Sequence, residues 1–169
     1  IWLKDVKNLN IKQFKLQTSI SENITSVYHL MRDVENMHLW YDKVKSVSLL
    51  EKVSHREAIY LLEYDLPFPF EDRITTIKGT IDYDQDKSKI KISTVFHPYK
   101  IPDSKKHLMV ITKISGGWEI NKTNSHEVDI IHYGYLDPGG SIPSWLVNEG
   151  VTSGPLKTIE GLKRVLKNY

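Results

Sequence analysis

The stretch that decides the fold is YLDPGGSIPSWLVN, Tyr135–Asn148, because the hydrophobic period changes within it. Before it, the run HEVDIIHYGY alternates as a β-strand does. Asp137 to Gly140 are four turn formers in succession, which predicts a reversal of the chain. From about Ser141 onward the apolar residues recur at helical spacing. The chain is therefore predicted to leave a sheet here and to end in a long helix.

The start of this helix is unusually apolar. We expect Ser141 to cap it and Pro143 to lie in its first turn, where the amides have no partner within the helix. Trp145 and Leu146 are then expected to lie against the sheet, at one mouth of any cavity beneath the helix. Further along, Gly154-Pro155 predicts a kink or a split because proline removes a backbone donor.

The segments before this stretch are mostly strand-like. DVKNLNIKQFKLQTSI predicts a short strand, a turn over residues 7–10 and a longer strand. Residues 21–34 have helical spacing, and a second short helix is predicted for residues 33–41. Two hairpins are predicted after them. The first pairs KVKSVSLLEKV with EAIYLLEYDL, and the second pairs DRITTIKGTIDYD with SKIKISTVF. HLMVITKI and GWEINKT are two further strand-like runs, while Gly116-Gly117 reads as a turn.

The composition limits the classes of function. The 169 residues are 40% hydrophobic and 26% charged, which suits one globular domain over residues 1–169. The formal net charge of +2, with 23 Lys and Arg spread along the chain, argues against nucleic acid as a partner. Cysteine is absent, so disulfides, thiol nucleophiles and Cys-bound zinc are excluded, and the compartment stays undetermined. We expect a monomer.

The order of the elements predicts an α+β fold. About seven antiparallel strands follow one or two short helices and precede one long helix. A long amphipathic helix covers only one face of such a sheet. The simplest architecture is a strongly curved antiparallel sheet wrapped around the C-terminal helix, with room for a small molecule between them.

Three stretches, in this order, resemble the START domain, the steroidogenic acute regulatory protein-related lipid-transfer domain. They are DVENMHLWYDKV (33–44), YDLPFPFEDR (64–73) and LDPGGSIPSWLVN (136–148). The resemblance covers nearly the whole chain except the family's usual N-terminal helix. It implies a helix-grip fold with an internal tunnel for one lipid-like ligand, gated by the 65–72 loop and the C-terminal helix. Some sterol-binding members carry a second basic residue on the strand after the Asp-Arg pair. Here the corresponding face holds Thr75, Ile77 and Gly79, so the resemblance does not identify the ligand.

The gate loop and the strand before it supply most of the candidate contacts. Pro67 and Pro69 exclude an ordinary central strand, so Phe68 and Phe70 form either a hydrophobic plug or a gate. Tyr60 and Tyr64 share one face with Leu62 and offer either cavity hydroxyls or ordinary core rings. The candidate ligand contacts, on cavity and gate, are Tyr60, Leu62, Tyr64, Pro67, Phe68, Phe70, Arg73, Thr75, Ile77, His132, Trp145 and Leu146.

Two polar members of this set have alternative interpretations. A buried Arg73 must be paired, either with a carboxylate such as Glu63 or Asp72, or with the polar head of a ligand. His132 is either a hydrogen-bonded core residue or a cavity residue, and it lies about 20 Å along its strand from His126, too far to share a metal.

The function expected from these residues is binding, and possible transfer, of a lipid or another hydrophobic small molecule, without a catalytic residue, a metal or a cofactor. Contact with a membrane surface is left open. One alternative is an enzyme on the same scaffold, such as a polyketide cyclase or aromatase, in which Tyr, His or Arg would transfer protons. Another is a domain that binds a protein partner.

Overall fold

A computed structural model describes residues 1–7, 9 and 11–169. Its strands are β1 (Trp2–Asp5), β2 (Lys12–Ile20), β3 (Val44–Lys52), β4 (Glu57–Tyr64), β5 (Arg73–Tyr83), β6 (Lys89–Phe96), β7 (Met109–Val110), β8 (Ile114–Asn124) and β9 (Glu127–Leu136). Its α-helices are α1 (Ile24–Arg32) and α2 (Ser144–Val165), and short 3-10 helices cover Val34–Leu39, Asp103–Lys105 and Leu166–Asn168. The turn predicted for residues 7–10 includes Asn8 and Asn10, which lie outside the described residues.

The strands form one open sheet with the order β1-β2-β9-β8-β6-β5-β4-β3. Neighbours along this path are antiparallel, and the two-residue β7 pairs in parallel with the start of β5. Helix α2 packs against the sheet through a buried stripe that includes Ile159 and Leu162, and Leu166 of the following 3-10 helix continues it. The predicted α+β helix-grip architecture is confirmed. Among the described residues, no helix is both long enough and apolar enough to span a bilayer.

Helix α1 begins at Ile24, three residues after the start of the segment 21–34 that was predicted to be helical. Asn23, and not Ser21, is the cap: its side-chain oxygen accepts a hydrogen bond from the amide of Ser26 at 2.9 Å. The inward face of α1, with Val27 and Leu30 fully buried, fills the core beside the sheet. The short helix predicted for residues 33–41 is a 3-10 helix over Val34–Leu39, which leads into β3.

The start of α2 differs from the prediction. Pro143 is the N-cap residue with extended backbone angles, and Ser141 is exposed and lies ahead of the cap. The prediction that Ser141 caps the helix was therefore wrong. Helix α2 is also continuous through Pro155, so it is not split there. Gly154 removes one obstacle to this continuity, because a residue without Cβ avoids the clash between the proline ring and the preceding Cβ.

Two further predictions fail in the second half of the sheet. The run HLMVITKI yields only the two residues of β7 and the first residue of β8. Gly116-Gly117 is no turn but part of β8, where a side chain at Gly117 would come within 2.1 Å of the carbonyl oxygen of Ile92. By contrast, Gly139 and Gly140 have φ of 64° and 65°, so this pair does form the predicted turn.

Candidate functional site

A cavity of about 450 Å³ lies between the concave face of the sheet and α2. Its lining is mostly apolar and comes from β4, β5, β6, β8, β9, the end of α1 and the first half of α2. Pockets for small ligands are typically 300–1,000 Å³ and apolar, with a few polar groups that orient the ligand. The cavity has these properties, so its polar side chains decide which chemistry it can support.

One wall is built by the register of β4 against β5. Tyr60 faces Ile77, Leu62 faces Thr75 and Tyr64 faces Arg73 across the ladder, so all six side chains share one face. The structure places Tyr60, Leu62, Tyr64, Arg73 and Ile77 on the cavity lining. Thr75 is the exception on this wall. It is fully buried, and its hydroxyl donates to the carbonyl oxygen of Ile111 at 2.8 Å, so Ile111 lines the cavity in its place.

Among the described residues, neither the hydroxyl of Tyr60 nor that of Tyr64 makes a hydrogen bond to a side chain or to the backbone. Burial raises the pKa of both phenols. Each hydroxyl therefore stays protonated near neutral pH. Together they present two neutral donors from an otherwise apolar wall.

His132 is a hydrogen-bonded residue of the same cavity. Its Nδ1 lies 3.1 Å from the carbonyl oxygen of Gly117, which can only accept, so Nδ1 carries the proton. Its Nε2 then accepts from the hydroxyl of Tyr41 at 3.2 Å. The ring stacks on Trp118 with centroids 3.7 Å apart, and burial lowers the pKa of His132 to about 4. His132 is thus neutral at pH 7 with both nitrogens engaged.

Sequence reasoning missed the aromatic residues around His132. Tyr41, Trp40 and Trp118 all line the cavity, and Trp40 and Trp118 are nearly fully buried. The register places Trp118 opposite His132 on β8 and β9. The available signal was the HLWYDKV segment and the alternation of GWEINKT, but neither shows which strands become neighbours.

Arg73 is buried at the gate end, but its partners are not carboxylates. Its Nε donates to the carbonyl oxygen of Pro138 at 3.1 Å, and its Nη1 donates to those of Glu71 at 2.6 Å and Asp72 at 3.3 Å. The first of the two alternatives for Arg73, pairing with the carboxylate of Glu63 or Asp72, is therefore wrong. Those carboxylates face Lys45 instead, at 3.1 Å and 2.6 Å. Arg73 joins the gate loop to the turn that precedes α2.

The gate loop exposes its aromatic side chains more than expected. Phe68 is 96% exposed and Phe70 is partly buried; neither they nor Pro67 line the cavity, whereas Leu66 does. Of the two alternatives for the loop, the hydrophobic plug is wrong for Phe68, because its ring is exposed. Asp72 anchors the base of the loop: its side chain accepts a hydrogen bond from the amide of Leu66 and forms an ion pair with Lys45. The tip of the loop can therefore project into solvent while the base stays in place.

The first turn of α2 divides its two large side chains between two environments. Leu146 is buried and lines the cavity, but Trp145 is 61% exposed and does not. The prediction that Trp145 lies against the sheet was wrong. Successive residues of a helix differ by about 100° around its axis, so these two side chains point in different directions.

Comparison with known proteins gives the family. The START domain profile matches residues 1–169. The chain belongs to the START domain family. An uncharacterized protein of Pseudomonas aeruginosa is 28% identical over 163 residues, which cover 96% of this START domain and 79% of that protein. Mouse phosphatidylcholine transfer protein is 24% identical over 149 residues, 86% of this chain and 67% of its own length.

Solved structures agree with this assignment. A STAR-related lipid transfer protein from Xanthomonas axonopodis superposes with a TM-score of 0.83 at 25% identity, covering 98% of this START domain and 91% of that chain. The Zhui aromatase/cyclase from a Streptomyces species has a TM-score of 0.57 at 12% identity, over 91% and 90% of the two chains. The second likeness shows the fold alone, so the scaffold does not decide between carriage and catalysis.

Proposed function

We propose that this START domain binds one hydrophobic ligand in its cavity and carries it between membranes. The observation that carries the proposal is the apolar cavity under α2, in which the hydroxyls of Tyr60 and Tyr64 have no acceptor among the described residues. An apolar wall with two neutral donors suits a ligand that is mostly hydrocarbon with a small polar group. The names of two relatives, a phosphatidylcholine transfer protein and a STAR-related lipid transfer protein, support the same class of ligand.

Leu62, Ile77 and Leu146 are proposed to supply apolar contacts within the cavity. His132 is proposed to contribute the edge of a neutral aromatic cluster and no proton transfer, since both of its ring nitrogens are engaged. Thr75 would act indirectly by holding Ile111. Arg73 is proposed to position the gate, and a contact with the ligand would use Nη2, which makes no hydrogen bond to a described residue.

The exposed gate suggests how a ligand would enter. Phe68 on the loop and Trp145 at the start of α2 expose large rings at the end of the cavity where Leu66 and Leu146 form the lining. Aromatic side chains favour the interface between a membrane and water. We propose that these two rings insert into a membrane surface while the loop opens. Pro67 and Phe70 would then shape the loop without touching the ligand.

The cyclase-like alternative has less support from the cavity. A general acid or base works best with a pKa near the operating pH. Burial raises the pKa of Tyr41, Tyr60 and Tyr64 and lowers that of His132 to about 4, so each moves away from neutrality. This pattern favours binding without a chemical step.

Native mass spectrometry of the purified protein, followed by organic extraction, tests the proposal. We expect one apolar molecule per chain, or a rise in unfolding temperature with at least one member of a lipid panel. At a hundredfold excess of ligand over Kd the stabilisation would be about 2.7 kcal/mol. An empty protein with no thermal shift for any apolar ligand would refute it.

A further inference from the structure

The cavity has a second end, opposite the gate. Its lining continues past Tyr60 to Lys52, Ser54, His55 and Arg56 of the β3–β4 hairpin and to Arg32 at the end of α1. Lys52, Ser54, His55 and Arg32 are exposed, so the cavity reaches the protein surface there. We call the opening between Arg32 and residues 52–56 the distal mouth.

The distance between the two ends gives the cavity an elongated shape. Strand β4 lines it from Ala58 near the distal mouth to Tyr64 under the gate loop, six residue steps that span roughly 20 Å at the rise of a β-strand. The cavity is therefore long enough for an extended alkyl chain to run from one end toward the other.

The distal mouth is rich in cations that lack a carboxylate partner. Among the described residues, no carboxylate lies within salt-bridge distance of Arg32 or Lys52. Arg56 is already paired with Asp82 at 2.5 Å, and Glu57 with Lys78 at 3.1 Å. Positive charge is thus available at the opening, beside a single apolar channel.

One hydrogen bond fixes Arg32 at this mouth: its Nη1 donates to the carbonyl oxygen of His55 at 2.7 Å, which ties α1 to the hairpin. Arg32 and Tyr60 line the same cavity. Burial raises the pKa of Tyr60; the positive charge of Arg32 opposes this rise, and the negative charge of Glu35 adds to it. A guanidinium, an ammonium and a phenol hydroxyl are donors suited to a carboxylate or a phosphate.

We propose that the distal mouth binds the carboxylate or phosphate of an amphiphilic lipid, with Arg32, Lys52 and Tyr60 as donors and an alkyl chain extending toward the gate. This inference rests on the proposed ligand-binding function and specifies the class of ligand. Because the cations are partly in water, the anion keeps part of its hydration, which limits the desolvation penalty.

The test compares myristate with tetradecanol, which has the same chain length without the charge, using the tryptophan fluorescence of the protein, to which the cavity residues Trp40 and Trp118 contribute. We expect myristate to bind at least about tenfold more tightly than tetradecanol to the unmodified protein, and this preference to weaken at high salt.

Arg32→Gln combined with Lys52→Met should abolish the preference and leave the affinity for tetradecanol within about twofold of its original value. Arg32→Lys should retain most of it because it keeps the charge. Tetradecyl phosphate, measured in parallel, distinguishes a phosphate from a carboxylate.

Lys15→Met combined with Lys91→Met is the matched control, since both are exposed lysines outside the cavity lining and the change in net charge is the same. The control should keep the preference for myristate.

Equal affinity of the unmodified protein for the two compounds would overturn this inference and leave the proposed function intact. A preference that survives in the Arg32/Lys52 variant but is lost in Arg73→Gln would also overturn it, by placing the anion at the gate. Failure of every compound to bind would overturn both proposals.

Discussion

At the scale of single residues, the neighbours of each polar group decide what it can do in the cavity. His132 has both ring nitrogens engaged and stacks on Trp118, whereas the hydroxyls of Tyr60 and Tyr64 make no hydrogen bond to a described residue. Arg73 is held by three carbonyl oxygens and joins two loops. All four were identified as candidates from the sequence, but strand alternation shows only which face a side chain occupies. Its hydrogen-bond partners come from distant segments, such as Tyr41 for His132, and no local pattern shows them.

The burial of His132 predicts a pH-dependent stability. Folding lowers its pKa from 6.5 to about 4, so as the pH falls the unfolded chain takes up a proton before the folded protein does. The contribution of the neutral ring is present above pH 6.5 and is lost between pH 6.5 and about 4, by about 3 kcal/mol in total. Urea unfolding at pH 7 and pH 4 measures this loss. Glutamine cannot titrate, so between pH 7 and pH 4 the free energy of unfolding of His132→Gln should fall by about 3 kcal/mol less than that of the unmodified protein. The same pH dependence in both proteins would contradict the assignment.

At the scale of elements, the gate loop and α2 each combine an anchored part with an exposed part. Lys45 on β3 meets both Asp72 of the loop and Glu63 of β4, and Lys105 also meets Glu63. These ion pairs lower the pKa of Asp72, and they lower that of Glu63 against the opposing effect of burial. The base of the loop is thereby fixed to the sheet, while Phe68 at its tip faces water.

The two faces of α2 predict opposite effects for neighbouring substitutions. Leu146→Ala should lower the free energy of unfolding by about 2–5 kcal/mol because it removes a buried side chain. Trp145→Ala should change it by less than about 1 kcal/mol because the ring is mostly exposed. Chemical denaturation measures both values.

Sedimentation with phospholipid vesicles should show weaker membrane binding for Trp145→Ala and for Phe68→Ala than for the unmodified protein. Unchanged vesicle binding in both would count against the proposed membrane contact.

At the scale of the whole molecule, the sequence predicts the architecture better than the site. Period-two runs, a terminal helix and three family-like stretches led to the helix-grip fold, and the structure and the family match confirm it. The exposure of Phe68 and Trp145 was not predicted, because an apolar residue in a loop or a first helical turn has no periodic pattern to assign its face. Gly116-Gly117 was misread as a turn because close packing between strands and backbone reversal both favour glycine.

The most direct test of a ligand inside the cavity uses the four tryptophans of the chain. Trp2 and Trp145 are exposed, whereas Trp40 and Trp118 are buried in the cavity lining. A Trp2→Phe/Trp145→Phe variant therefore reports only from the interior. Titration with dibrominated stearate, and separately with a brominated phosphatidylcholine, should quench this interior fluorescence and saturate at about one ligand per chain for at least one of them. Absence of saturable quenching with either lipid would contradict the account.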